Sequence, residues 1–150
     1  MESDRTAQAA RPEDCVVHTT PGMQVTTTST TSGRKFFDEH MAYIASDDIE
    51  AMIDEQYTPD AVLFSPFDLL ETPPPHVVRG NKALKEFFRR YIAWQGSINV
   101  EQLYNFAETA DSISFQAIFT SQTGRWVVGD AWHLTNNKID TQYSFAYKLA

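Results

Sequence analysis

Cysteine is nearly missing from this chain: Cys15 is the only one in 150 residues. A single thiol forms no intrachain disulfide, so the fold must rest on a core and not on covalent bridges. That composition fits a reducing compartment. Positive charge is also in short supply, with 12 Lys and Arg against 20 Asp and Glu and a formal net charge of −8. An acidic surface repels phosphate backbones, which argues against a nucleic-acid partner. The one local basic cluster, Lys82, Lys85, Arg89 and Arg90, falls within a single helical segment and reads as its solvated face. No apolar run approaches the length of a membrane span, and the first residues lack the apolar stretch of a secretory signal. The expectation is a cytoplasmic protein with no membrane partner.

Several chemistries lack their motifs. His18, His40, His76 and His133 show no metal-ligand spacing. There is no paired CxxC, no phosphate-cradling glycine loop and no nucleophile elbow. Neither a metal nor a cofactor is therefore expected. Thiol chemistry is not expected either, because Cys15 sits in a polar N-terminal stretch.

What the chain does have is apolar and aromatic surface. Hydrophobic residues make up 42% and aromatics 13%. A chain of this length makes one domain that buries roughly 68–70% of the surface its unfolded form exposes. The aromatic share favours an apolar pocket or an interaction face. Residues 1–32 differ from the rest: Thr26 to Ser32 is all Thr and Ser, too little apolar surface to offset its ordering entropy. A flexible polar tail is expected there, with a strand-like arm through Val16, Val17 and Val25 as the alternative. Residues 33–150 then form a single domain.

Periodicity changes along that domain. Phe36, Phe37, His40, Met41 and Ile44 share one helical stripe, which predicts a helix over Arg34 to Ala45. Asp47, with Glu50 three residues on, predicts the cap of a second helix whose apolar face is Ile49, Met52 and Ile53. Pro59 forces extended chain, and Asp60 to Pro66 reads as a strand. Thr72 to Pro75 must be a loop, and Arg79-Gly80 a turn. Asn81 is placed to cap a third helix with Leu84, Phe87, Phe88, Tyr91 and Trp94 on its stripe, ended by Gly96. After Gly96 four strands follow: 98–108, 112–122, 125–135 and 138–148, with turns at Gly124 and Asn136-Asn137. The predicted fold is α+β, a curved antiparallel sheet wrapped around a cavity and backed by three N-terminal helices.

Alternation along the strand 125–135 places Trp126, Val128, Asp130, Trp132 and Leu134 on one bulky face, assigned to the interior. Asp130 then lies between two indoles, where a charge is costly and burial raises a carboxyl pKa. Two readings stand for it: an acid or base facing a cavity, or a structural Asp tied to a tyrosine or backbone amide. Leu63 takes inward parity on its own strand. Phe115, Phe119, Tyr143, Phe145 and Tyr147 take the opposite parity and crowd the outer sheet face, which predicts a homodimer through that face.

Three segments carry a resemblance: DDIEAMIDEQYTPDAVLFSPF, VVRGNKALKEFF and VVGDAWHLTNNKIDTQYSF. On these the chain resembles the nuclear transport factor 2-like superfamily, which includes the SnoaL-like proteins, over about residues 34 to 148. The resemblance implies a cystatin-like cone, with a cavity between a curled sheet and three helices, often in a dimer. Similar proteins include ketosteroid isomerases, limonene-epoxide hydrolases, polyketide cyclases, dehydratases and noncatalytic binding modules. Against the steroid isomerases, Asp130 matches an acid kept protonated to bind an oxyanion. His40 matches an oxyanion-binding tyrosine, and Ser65 stands where the catalytic aspartate would be. Serine cannot be that base. Against the epoxide hydrolases, Ser114, Gln116 and Ser144 match a charged Asp–Arg–Asp set, and none of the three is charged.

The expected site follows from both lines. Asp130 and His40 form a candidate acid/base dyad, with a half-buried His40 bonded to backbone as the alternative. Leu63, Ser65, Gln116, Trp126, Trp132, Gln142 and Ser144 are the candidate substrate-binding residues around a small apolar molecule. The expected activity is cofactor-independent isomerisation, cyclisation or dehydration of a polyketide-, terpenoid- or steroid-like metabolite. The alternative is a noncatalytic ligand-binding or dimeric adaptor module.

Overall fold

In the computed structural model, which describes residues 31–150, Thr31 opens the first helix: its hydroxyl accepts from the Arg34 backbone N–H. Helix α1 (Ser32–Ser46) buries Phe37 and His40, two members of the expected stripe. The expected tail 1–32 and the alternative arm lie outside the described residues, apart from Thr31 and Ser32, which belong to this helix start. Asp47 does not cap the second helix. It takes a left-handed conformation, φ 58°, and closes α1, while Asp48 caps α2 (Ile49–Gln56) by accepting from the Ala51 N–H. Two adjacent aspartates thus divide the work of stop and start.

Strand β1 (Tyr57–Phe64) follows α2 directly, and β2 (Val77–Arg79) pairs with it antiparallel. Arg79, expected in a turn with Gly80, is the last residue of β2, a strand of three residues that is too short to show alternation. Gly80, with φ 80°, is the residue before α3 (Asn81–Gln95), and its N–H donates to Ala61 O at 2.8 Å. Asn81, the expected cap, is instead the first helical residue, and its Oδ1 is buried without a partner among the described residues. Gly96 ends α3 as expected. The basic cluster on α3 is largely paired: Lys85 reaches Asp54 at 2.7 Å and Glu50 at 3.0 Å, Arg89 also meets Glu50, and Arg90 meets Glu86 at 2.7 Å. The first two tie α3 to α2.

The remaining strands are β3 (Asn99–Glu108), β4 (Ser112–Ser121), β5 (Gly124–Thr135) and β6 (Lys138–Lys148). They form one six-stranded sheet in the order β2-β1-β6-β5-β4-β3. All neighbours are antiparallel except β1 and β6, which run parallel, so the sheet is mixed. Asn136 and Asn137, with φ of 51° and 61°, make the tight β5–β6 turn. Register shifts in β3, one of them spanning Asn105 at φ 53°, and between His133 and Leu134 mark bulges, which bend a sheet.

The helices cover the concave face. Phe37, Met52, Ile53, Leu84 and Phe88 pack on Tyr57, Leu63, Ile113, Trp132 and Ile139 in one core. The result is the α+β cone, helices on one side and a curled sheet on the other. Among the described residues no helix is long and apolar enough to cross a membrane.

Leu84 is 0% exposed at the centre of this layer contact. Leu84→Ala should cost about 2–5 kcal/mol, the usual penalty for lost transfer energy plus a residual cavity. Urea unfolding measures it; a loss below about 1 kcal/mol would mean the helix layer is not packed as described.

Candidate active site

Cross-strand pairing decides which side chains meet under the helices. Asp130 of β5 lies opposite Phe115 of β4 and Ser144 of β6; Trp132 lies opposite Ile113 and Gln142. Directly paired residues share a face, so all six point to the concave side. Above them α1 contributes Phe37 and His40, and α3 contributes Phe88 and Tyr91. These groups enclose a cavity of about 90 Å³. Its wall includes Val100, 40% exposed, and there it reaches the surface.

Asp130 is held by three neutral donors. Ser144 Oγ–H donates to Oδ1 at 2.5 Å, and Oδ2 accepts from Gln142 Nε2 at 2.8 Å and Trp132 Nε1 at 3.1 Å. Behind Gln142 stands buried Tyr57, whose hydroxyl donates to Gln142 Oε1 at 2.6 Å. That bond fixes the amide so that its N–H groups face the carboxyl. Burial pushes the Asp130 pKa up, against the three donors, each of which pulls it down. Burial wins because no cation joins the group.

His40 is the second titratable group in the cavity wall. Its Nδ1 lies 2.8 Å from Gln56 Oε1, and Gln56 Nε2 donates to Phe36 O at 3.2 Å. With the amide so oriented, Nδ1 carries the hydrogen and Nε2 keeps a lone pair. Nε2 has no hydrogen-bond partner among the described residues. Burial drives the His40 pKa from 6.5 down to about 4, only partly offset by Gln56. The imidazole is neutral at neutral pH. It does not bond Asp130: the ring packs on Trp132 at 4.7 Å between centroids, and the indole N–H bonds the carboxyl. The expected dyad is therefore not made in direct contact: Trp132 touches both groups, and His40 spends Nδ1–H on Gln56.

No protein-family model matches the chain, and no curated protein does. Solved structures do match. A SnoaL-like protein of unknown function from Burkholderia thailandensis aligns with TM-score 0.65 at 12% identity, over 78% of this chain and 98% of that one. An NTF2-like protein from Anabaena variabilis gives 0.64 at 15%, over 78% and 87%. IdmH of Streptomyces antibioticus, named as a candidate polyketide cyclase, gives 0.62 at 14%, over 77% and 92%. This chain has the NTF2-like fold. Identities this low establish the cone and leave its chemistry to the residues.

Within the NTF2-like cone, Leu63, Trp132, Gln142 and Ser144 line the cavity beside Asp130 and His40, where the sequence put them. Ser65 lines it too, but its hydroxyl donates to Phe67 O at 3.1 Å and accepts from Phe67 N–H at 2.9 Å, so it is spent on a turn. Gln116 is on the other side of the sheet, where its Oε1 accepts from Asn105 Nδ2 at 2.8 Å. Phe115 and Phe119, expected outside, are buried in the cavity wall. One fact reverses all three: β4 pairs with β5 so that Phe115, not Gln116, lies opposite Asp130. Trp126 has inward parity but lies past the cavity, packed on Phe67 and Trp94, with its N–H donated to Thr123 Oγ1 at 2.9 Å.

One positioning residue escaped the sequence reading, Gln56. Gln56 had a legible signal: it extends the α2 stripe of Ile49, Met52 and Ile53 at helical spacing, so a polar side chain sits where an apolar one is due. Among the described residues there is no cluster of His, Cys, Asp and Glu arranged to hold a metal.

The depressed His40 pKa fixes a sign. Unfolded, the ring takes its proton near 6.5; folded, only near 4. Its contribution to stability is therefore complete above pH 6.5 and is lost as pH falls towards 4. Over that window the loss should reach about 3 kcal/mol. The raised Asp130 carboxyl acts in the opposite sense, so the comparison must isolate His40. Denaturation midpoints of wild type and His40→Gln across this range should converge towards acid; parallel curves would refute the buried neutral imidazole.

Proposed function

We propose that this protein is a cofactor-independent acid/base enzyme acting on a small, largely apolar metabolite by isomerisation, cyclisation or dehydration. The observation that carries this reading is Asp130: a half-buried carboxyl on the wall of an aromatic cavity, bonded among the described residues to neutral donors alone. Its environment favours the protonated acid, while that of His40 favours the free base. One group from the sheet and one from the helix layer can thus each exchange a proton with a bound ligand. Two of the proteins that share this cone, from Streptomyces antibioticus and Sinorhizobium meliloti, are named as candidate polyketide cyclases.

Size narrows the substrate. A cavity of about 90 Å³ is smaller than the ~150 Å³ engineered hollow that accepts benzene. The part of a ligand enclosed with Asp130 is therefore a few heavy atoms, with any remainder leaving past Val100. A whole steroid nucleus does not fit inside. Steroid-isomerase chemistry is further disfavoured because Ser65 replaces the needed carboxylate and is hydrogen-bonded within a turn.

Asp130→Asn should reduce catalysed carbon–hydrogen exchange in a panel of small cyclic ketones and hydroxyketones by about 10²–10⁴-fold. Proton NMR in heavy water reads the exchange, and near-ultraviolet circular dichroism checks the fold. Undiminished exchange in a folded variant sinks the acid/base reading; ligand binding that survives both Asp130→Asn and His40→Ala, with no exchange in wild type, supports a noncatalytic binding module.

The convex face supports association as well. Tyr143, Phe145 and Tyr147 are 56%, 50% and 65% exposed along β6, and Phe64 stacks on Tyr143 at 4.7 Å. Beside this ridge, Ser114 and Ala131 line a trough. Ridge and trough on one face suit a two-fold pair of identical chains. Light scattering at micromolar concentration should give twice the 17.0 kDa chain mass, falling to one chain in the Tyr143→Asp, Tyr147→Asp double variant. A single-chain mass for wild type removes the homodimer and turns attention to a different protein partner.

A further inference from the structure

The free polar atoms of the cavity are unbalanced. Asp130 Oδ1 accepts from Ser144 alone, and His40 Nε2 keeps its lone pair. Three of the nearby donors, Trp132 Nε1, Gln142 Nε2 and Ser144 Oγ, are already turned onto Asp130, which leaves the Tyr91 hydroxyl as the remaining donor of the wall. Among the described residues no Lys or Arg lines the cavity. The walls are ring surfaces: Phe37, Phe88, Tyr91, Phe115, Phe119 and Trp132.

Each ligand class meets this environment differently. An anion would face a carboxyl and the negative faces of the rings, with no cation to balance it. A purely apolar ligand would displace water and leave Asp130 and His40 Nε2 with nothing in return. A cation satisfies both features, since it pairs with the carboxylate and is attracted to aromatic faces. Its N–H groups also supply the donors that the two free acceptors lack.

We propose that the ligand of this cavity is an organic cation: a protonated amine whose ammonium sits against Asp130 and whose short apolar body lies among the rings and leaves past Val100. This rests on Asp130 facing the cavity, as the proposed function does, and specifies the substrate class. It makes Asp130 an anchor as well as a proton-exchanging group.

Matched probes test it on the full chain at neutral pH. Cyclopentylamine, cyclopentanol and cyclopentanecarboxylate share one body and differ in the group offered to Asp130. Calorimetry should show the amine binding at least about tenfold tighter than the alcohol, with the carboxylate not binding. The Trp132 indole N–H, which donates to Asp130, should shift in nitrogen–proton correlation spectra on adding the amine. Asp130→Asn should bring amine and alcohol to parity. If that variant does not fold, the wild-type ratio and the indole shift decide alone. Equal affinities, binding of the carboxylate, or no binding by any of the three overturns the cation. Such a result leaves proton transfer standing on its own test, which reads carbon–hydrogen exchange and not charge preference.

Discussion

A half-buried carboxyl group with no cation beside it among the described residues sets the terms for the rest of this cavity. Asp130 is satisfied only because three neutral donors converge on it from two strands. Ser144 stands directly opposite, Trp132 two residues along the same strand, and Gln142 opposite Trp132. A slip of one residue between β5 and β6 would turn Ser144 and Gln142 to the far face together and leave the carboxyl nearly bare. The tight Asn136-Asn137 turn and the bulge between His133 and Leu134 set that register together, the bulge supplying the extra residue that brings Ser144 opposite Asp130. Tyr57 holds Gln142 from β1, and His40 rests on Trp132 from α1. The demands of one acid thus reach across the sheet and into the helix layer.

Much of this arrangement was legible in local patterns. Alternation in β5 put Asp130 and Trp132 inside, Gly96 closed α3, and the stripe on α1 pointed His40 inward. What failed was carried by relations between segments. β4 was turned over, although its own alternation of Ile113, Phe115, Ala117 and Phe119 against Ser112, Ser114 and Gln116 held the right assignment. Comparison with charged positions of other proteins outweighed that pattern. The parallel β1–β6 pairing joins strands far apart in sequence and leaves no local mark. The bond from His40 to Gln56 rather than Asp130 depends on how two helices meet, which periodicity does not encode. At Asp47 and Asp48 the residue type was right and its position off by one, because both can serve as caps and only the left-handed turn at Asp47 separates them.

The two faces of the sheet divide the aromatic content. On the concave side rings exclude water and enlarge every electrostatic effect on Asp130 and His40. On the convex side β6 carries rings into solvent, and Phe145 lies over Gly129, where a side chain would collide with it. Glycine at that position clears the flat seat on which the ridge lies, so one β5 residue is shaped for the outside while its neighbour Asp130 is shaped for the cavity.

Geometry alone does not require the charge at position 130. An asparagine there would present one oxygen to Trp132 and Gln142, and the Ser144 hydroxyl would rotate to accept from the amide. Every hydrogen bond around Asp130 could then be kept without the cost of burying an ionisable group. What asparagine cannot do is exchange a proton or pair with a positive ligand. The property that distinguishes Asp130 from this isostere is the one that the proposed chemistry and charge recognition use. His40 points the same way, since Gln56 spends a buried hydrogen bond on leaving the cavity a bare lone pair.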